Sequence, residues 1–202
     1  MSSGLSMIES WFFVLAMLAV LLIPGPTNAL LASATHQQGA FKTIIFIPIE
    51  WLGYVYGISL WALFIHLFEP IWPALDVILH TVSLAVVLWM AFHFWKSAHL
   101  QKYDQRHQKI RKTKLFSATL KNPKTVLLAA GIFPVETWNS IENAVLVFAI
   151  FSVILIPVSI FWMYFGRALL VGSFNGITAD HLYKGSAMLL LICMLPMIFR
   201  LF

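Results

Sequence analysis

Glu50 is an acid set within a long apolar stretch, and Lys124 is a cation beside a proline that interrupts another. Glu50 stands eight residues beyond Lys42, so a helix anchored at Lys42 would carry it about 12 Å into a bilayer. A charge at that depth costs roughly 2.5–3.5 kcal/mol on insertion scales, so such a residue is a functional candidate by default. A carboxyl that takes and releases a proton as a site opens to each side couples proton movement to a solute. The structural alternatives are a hydrogen bond, a salt bridge to Lys124, or a side chain reaching the interface. Lys124 could hold a solute carboxylate, pair with Glu50 when the site is empty, or extend its ammonium to the headgroups. Asn122, Thr27 and Asn28 add neutral hydrogen-bonding groups that suit a zwitterion, and they could cap helices as well.

The elements that must position these residues are two interrupted apolar segments that read alike. One runs Leu22-Ile-Pro-Gly-Pro-Thr-Asn-Ala-Leu-Leu-Ala-Ser33 and the other Thr119-Leu-Lys-Asn-Pro-Lys-Thr-Val-Leu-Leu-Ala-Ala130; shifted by 97 positions, Pro26 falls on Pro123 and Leu30-Leu31-Ala32 on Leu127-Leu128-Ala129. Proline removes a helical hydrogen bond and clashes with the preceding turn. Trp11 to Ile23 gives only about 20 Å of helix, and Pro123 to Pro134 only about 16 Å, against a hydrocarbon core of about 30 Å. Pro24, Gly25 and Pro26 therefore interrupt the first span, and Asn122, Pro123 and Lys124 the fourth. A plain N-cap at Asn122 that starts the fourth span is the simpler alternative. Pro48 could break the second span too. Paired interruptions at matching places in two halves point to a transporter's binding site.

The chain has 202 residues, 60% hydrophobic and 10% charged, where soluble domains carry roughly 25% charged residues. Six candidate spans, roughly 10–35, 43–68, 71–95, 114–134, 143–165 and 182–199, use most of the length and leave no room for a soluble domain. No Lys or Arg precedes Lys42, so the first span reads as part of the mature protein rather than a signal peptide. Nine of the thirteen Lys and Arg residues lie between Lys96 and Lys124. That placement puts the loop between spans three and four in the cytoplasm and both termini outside. A basic loop beside a bilayer is accounted for by topology and anionic lipid, and nucleic-acid binding is set aside.

With three spans in each half, a shared fold requires inverted repeats. We expect one membrane domain over 1–202, with repeat one about 8–95, a connector about 96–113 and repeat two about 114–202. Gly53 and Gly57 share a helix face and admit a close neighbour, within the chain or in a second copy as a homodimer. Trp51 and Trp61 are candidates to line a cavity. The scattered histidines and the single Cys193 give no metal-ligand spacing, no catalytic constellation is present, and no cofactor is implied.

Pro24-Gly25-Pro26, Asn122-Pro123-Lys124 with Pro134 eleven residues on, Gly39 and Gly53, the run Trp89-Met-Ala-Phe-His-Phe-Trp-Lys96, and Gly185-Ser186 together resemble the LysE/RhtB family of amino-acid exporters. The likeness covers essentially the whole chain. It implies a proton-driven inner-membrane exporter of an amino acid or related compound, with six spans in two inverted triplets. Thr27 departs from the Asp that the family often has after Pro-Gly-Pro, and Ala91 from its third-span glycine. The expected fold is thus all-α and integral to the membrane, with helices 1 and 4 broken. The expected function is secondary active export. The alternatives are an inorganic-ion carrier or channel of the same superfamily, and a non-transporting membrane protein such as an assembly factor.

Overall fold

The computed structural model describes residues 2–68 and 109–171, together with positions 71, 78, 81, 85, 88, 92 and 188. Nearly all of the expected third and sixth spans, most of the connector, and the motifs at Trp89–Lys96 and Gly185-Ser186 lie outside the described residues. Every regular element described is helical: α1 Ser2–Leu22, α2 Pro26–Gln38, α3 Ala40–Thr43, α4 Phe46–Phe68, α5 Lys112–Leu120, α6 Pro123–Leu127 running into a π turn Leu128–Ile132, a 3-10 turn Val135–Trp138, and α7 Ile141–Leu170. Ala40–Phe68 and Ile141–Leu169 are each 29 residues of apolar helix, long enough to cross a membrane. Phe13–Leu22 and Pro26–Gln38 reach the same length and apolarity only when taken together, and they are bent by 55° at the break. Helix α1 extends past the expected start at Trp11, but Ser2, Ser3, Ser6, Glu9 and Ser10 make its first turns polar. The apolar part of α1 alone is still shorter than a membrane span, and α2 supplies the remaining length.

The first break falls at Ile23-Pro24-Gly25. In a continuous helix the N–H groups of residues 24 and 26 would bond the carbonyls of Val20 and Leu22; two prolines supply neither. The second break is both a cap and an interruption: α5 stops at Leu120, and Asn122 caps α6 by accepting from the Lys124 N–H at 3.1 Å. Farther on, the Phe133 N–H reaches the Leu128 carbonyl at 2.8 Å to close the π turn, just before Pro134, which has no donor to continue the helix. Pro48 does not break the second span where expected. It lies in the first turn of α4, where a missing N–H costs nothing. The discontinuity sits upstream at Ile44-Ile45, where the Ile44 carbonyl accepts instead from Ile47 N–H at 3.1 Å. Pro157 lies inside α7 without ending it.

Helices α1 and α2 both pack on α7, while α5, α6 and the π turn all pack on α4; α2 also meets α5, and α1 meets the π turn. Each interrupted span therefore lies against the long helix of the other half. Gly53 and Gly57 face the same chain rather than another copy. A Cβ on Gly53 would stand 2.7 Å from Thr119 Cβ, and one on Gly57 2.8 Å from Thr125 Cγ2. Among the described residues the apolar core forms two clusters. One gathers Met17, Leu21, Ile23, Tyr54, Leu128 and Phe151; the other gathers Leu30, Leu31, Phe46, Ile47, Leu115 and Met163. The breaks fall between them along the chain, after Ile23 and before Leu30 in one half, after Leu115 and before Leu127 in the other.

Candidate functional site

Between the two apolar clusters lies a belt of buried polar side chains: Thr27, Asn28, Glu50, Asn122, Lys124, Thr125 and Ser159, none more than 4% exposed. The breaks deliver five of them and α4 and α7 the others. Pro24 is buried, Gly25 and Pro123 are half-buried, and Pro26 is exposed. Buried polar groups need partners, and these take them largely across the two halves.

Lys124 sends its ammonium neither to a headgroup nor to Glu50. Its Nζ donates to the backbone carbonyls of Leu21 at 3.3 Å and Ile23 at 2.5 Å. The C-terminal end of a helix carries unpaired carbonyls and partial negative charge, so a cation is favoured there. Asn28 does not cap α2, as either it or Thr27 was expected to. The N-cap is Gly25, with no side-chain bond. Asn28 turns back instead, and its Nδ2 donates to the same carbonyls, Leu21 at 3.3 Å and Ile23 at 2.8 Å. Thr27 Oγ1 accepts from Asn122 Nδ2 at 3.3 Å and joins the breaks directly.

Glu50 accepts a hydrogen bond from Ser159 on α7 at 2.7 Å. Lys124 acts on its carboxylate through space, and the Thr27 hydroxyl is close enough to interact with both Glu50 and Tyr54. Tyr54, fully buried one turn beyond Glu50, offers its hydroxyl to Asn122 Nδ2 at 3.5 Å, the outer limit of such a bond. Thr125 Oγ1 donates to the Asn122 carbonyl at 2.7 Å and tightens the second break. The result is a closed polar layer holding one acid and one cation, each bonded to neutral groups.

Tyr54, Ser159 and Thr125 were not among the residues expected from sequence. Tyr54 carried a usable signal, since position i+4 from Glu50 shares its helix face. Ser159 carried none, being an ordinary serine 109 positions from its partner. Trp51 and Trp61 pack against the first apolar cluster. Trp51 Nε1 donates to Ser152 Oγ at 2.7 Å, and Trp61 meets Phe64 edge-on at 5.9 Å. Among the described residues no group of three or more His, Cys, Asp or Glu is placed to hold a metal ion. No family model, no curated protein and no solved structure matches this chain.

Proposed function

We propose that the chain is a secondary active transporter that exports an amino acid or similar small polar solute across the inner membrane, by proton antiport and alternating access, in the manner of the LysE/RhtB exporters it resembles. The observation that carries this reading is the enclosure of Glu50 and Lys124 together, with hydrogen-bonding groups of both breaks, between two apolar clusters. A zwitterion brings one charge of each sign and needs a partner for each. The ammonium of Lys124 has a third N–H beyond the two on Leu21 and Ile23, free among the described residues for a carboxylate. The Glu50 carboxyl is the group that can exchange a proton on either side of the membrane. With every member buried, the conformation is occluded, and opening to one face or the other separates α4 from α7 at the Glu50–Ser159 bond.

The six-span, inverted-repeat arrangement is part of the proposal. A twofold axis in the membrane plane exchanges α1 with α5 and α2 with α6 and its π turn. That exchange maps the contact of α2 with α5 onto that of α1 with the π turn. It also maps α2 on α7 onto α6 on α4.

The test is counterflow of a panel of solutes through purified protein in liposomes, covering neutral, basic and acidic amino acids, simple amines and inorganic cations. Uptake of at least one amino acid against empty-liposome controls is the expected result. Movement of inorganic cations alone would replace this reading with that of an ion carrier, and movement of nothing would remove transport.

A further inference from the structure

The paired carbonyls of Leu21 and Ile23 are an unusual acceptor site. In an unbroken helix they would bond the N–H groups of residues 25 and 27; the Pro24-Gly25-Pro26 break withdraws both. Each oxygen has two lone pairs. Asn28 Nδ2 takes one on each, and Lys124 Nζ, brought from the other half of the chain, takes the other. Lys124 is 1% exposed, and its end passes close over Gly25: a Cβ there would lie 3.3 Å from Lys124 Cε and 3.4 Å from Nζ. The acceptors are two neutral carbonyls at the negative end of α1. That is too few oxygens for a desolvated metal cation, which takes six or more, but it suits the directed N–H bonds of an ammonium.

We propose that the Leu21 and Ile23 carbonyls form a recognition seat for a primary ammonium group, and that Lys124 is its built-in occupant. The seat stands apart from the transport reading. Only the identification of its visiting ligand as the solute's amino group rests on that reading. In that case the solute carboxylate draws Lys124 away through its third N–H, and the amino group takes the vacated carbonyls. Lys124 would then serve as a tethered stand-in that fills the second acceptor position on each carbonyl between solutes, beside the bonds from Asn28.

The experiment is thermal unfolding of the full-length protein in detergent, wild type against Lys124→Ala, with n-propylammonium chloride as the probe. Propylammonium replaces the three carbons and nitrogen that the substitution removes. It should raise the Tm of Lys124→Ala by about 4 °C at roughly ten times its dissociation constant, and leave the wild type, whose seat is filled, unshifted. Neutral 1-propanol and tetramethylammonium, which has charge but no N–H, should shift neither protein. Lys124→Met, which keeps the volume and loses the donors, should be unresponsive to propylammonium. Equal shifts in wild type and Lys124→Ala, equal shifts with propanol, or no shift in Lys124→Ala would each overturn the seat. If Lys124→Ala does not accumulate, the amines are added during expression and extraction. Recovery of folded protein with propylammonium but not with propanol supports the seat, and recovery with neither overturns it. None of these outcomes depends on transport, so a failed counterflow assay leaves the seat standing, and a failed seat leaves counterflow to be judged separately.

Discussion

Glu50→Gln keeps the side chain's shape and an oxygen that can accept from Ser159, and it removes the exchangeable proton. We expect it to accumulate in the membrane at wild-type levels and to lose proton-driven export in loaded vesicles. Export at the wild-type rate would take Glu50 out of the coupling. Ser159→Ala does the reverse at the same bond: it keeps the acid and leaves a buried carboxyl without its hydroxyl donor, a loss worth about 1–3 kcal/mol. The expected readout is a Tm lowered by several degrees in detergent, and an unchanged Tm would mean that the bond contributes nothing to folding. Glu50 and Lys124 were visible in the sequence because charge inside an apolar run is costly and rare. Their partners were not, since the Leu21 and Ile23 carbonyls belong to a backbone every residue shares and Ser159 belongs to another helix.

Among the elements, the two breaks separate what is needed to move from what is needed to fold. Replacing Pro24 or Pro123 with Ala restores a donor and invites a continuous helix across the gap. Both variants should reach the membrane and unfold within a few degrees of the wild type, while counterflow falls by more than tenfold. Wild-type rates in both would make the interruptions irrelevant to turnover. The contact of α4 with the second break is tested by Gly57→Ala. Its new Cβ would stand 2.8 Å from Thr125 Cγ2 and 3.2 Å from Thr125 Cβ. Forcing that methyl in costs about 1–3 kcal/mol. Adding Thr125→Ser, which removes the Cγ2 and keeps the hydroxyl bonded to the Asn122 carbonyl, should recover part of the loss. Additive losses in the double variant would mean that the glycine face does not approach Thr125 closely. The breaks could be read from proline and length together. Proline alone did not suffice, because Pro157 sits inside an unbroken α7 and Pro48 inside the first turn of α4. The π turn at Leu128–Ile132 has no residue pattern of its own.

For the whole molecule, the proposed topology makes a two-sided prediction. Ile110 N–H donates to Gln37 Oε1 at 3.2 Å, tying the end of α2 to the start of α5, near the exposed basic residues Arg111 and Lys112. The opposite end holds Phe13 against Phe133 at 6.1 Å, near the exposed acids Glu136 and Glu142. In a chain whose natural Cys193 has been replaced, a cysteine at Thr113 should react with an impermeant maleimide only from the cytoplasmic side, and one at Asn139 only from outside. Labelling of both from one side would end the proposal that α5 and α6 cross the membrane. Composition alone pointed to helices long and apolar enough to cross a membrane, and every regular element among the described residues is helical, because a bilayer gives an apolar stretch of that length few other ways to satisfy its backbone. Proline placement settled where one segment bends, and with segment length it favoured a second break, because those steric and hydrogen-bonding effects are local. Only the tertiary structure decided that Lys124 answers the carbonyls of the first break rather than Glu50, and that Glu50 answers Ser159. Hydrogen bonds in a dry interior are chosen by which groups the packing of distant helices brings within about 3 Å of each other, and that choice is written nowhere in the spacing of residues along the chain.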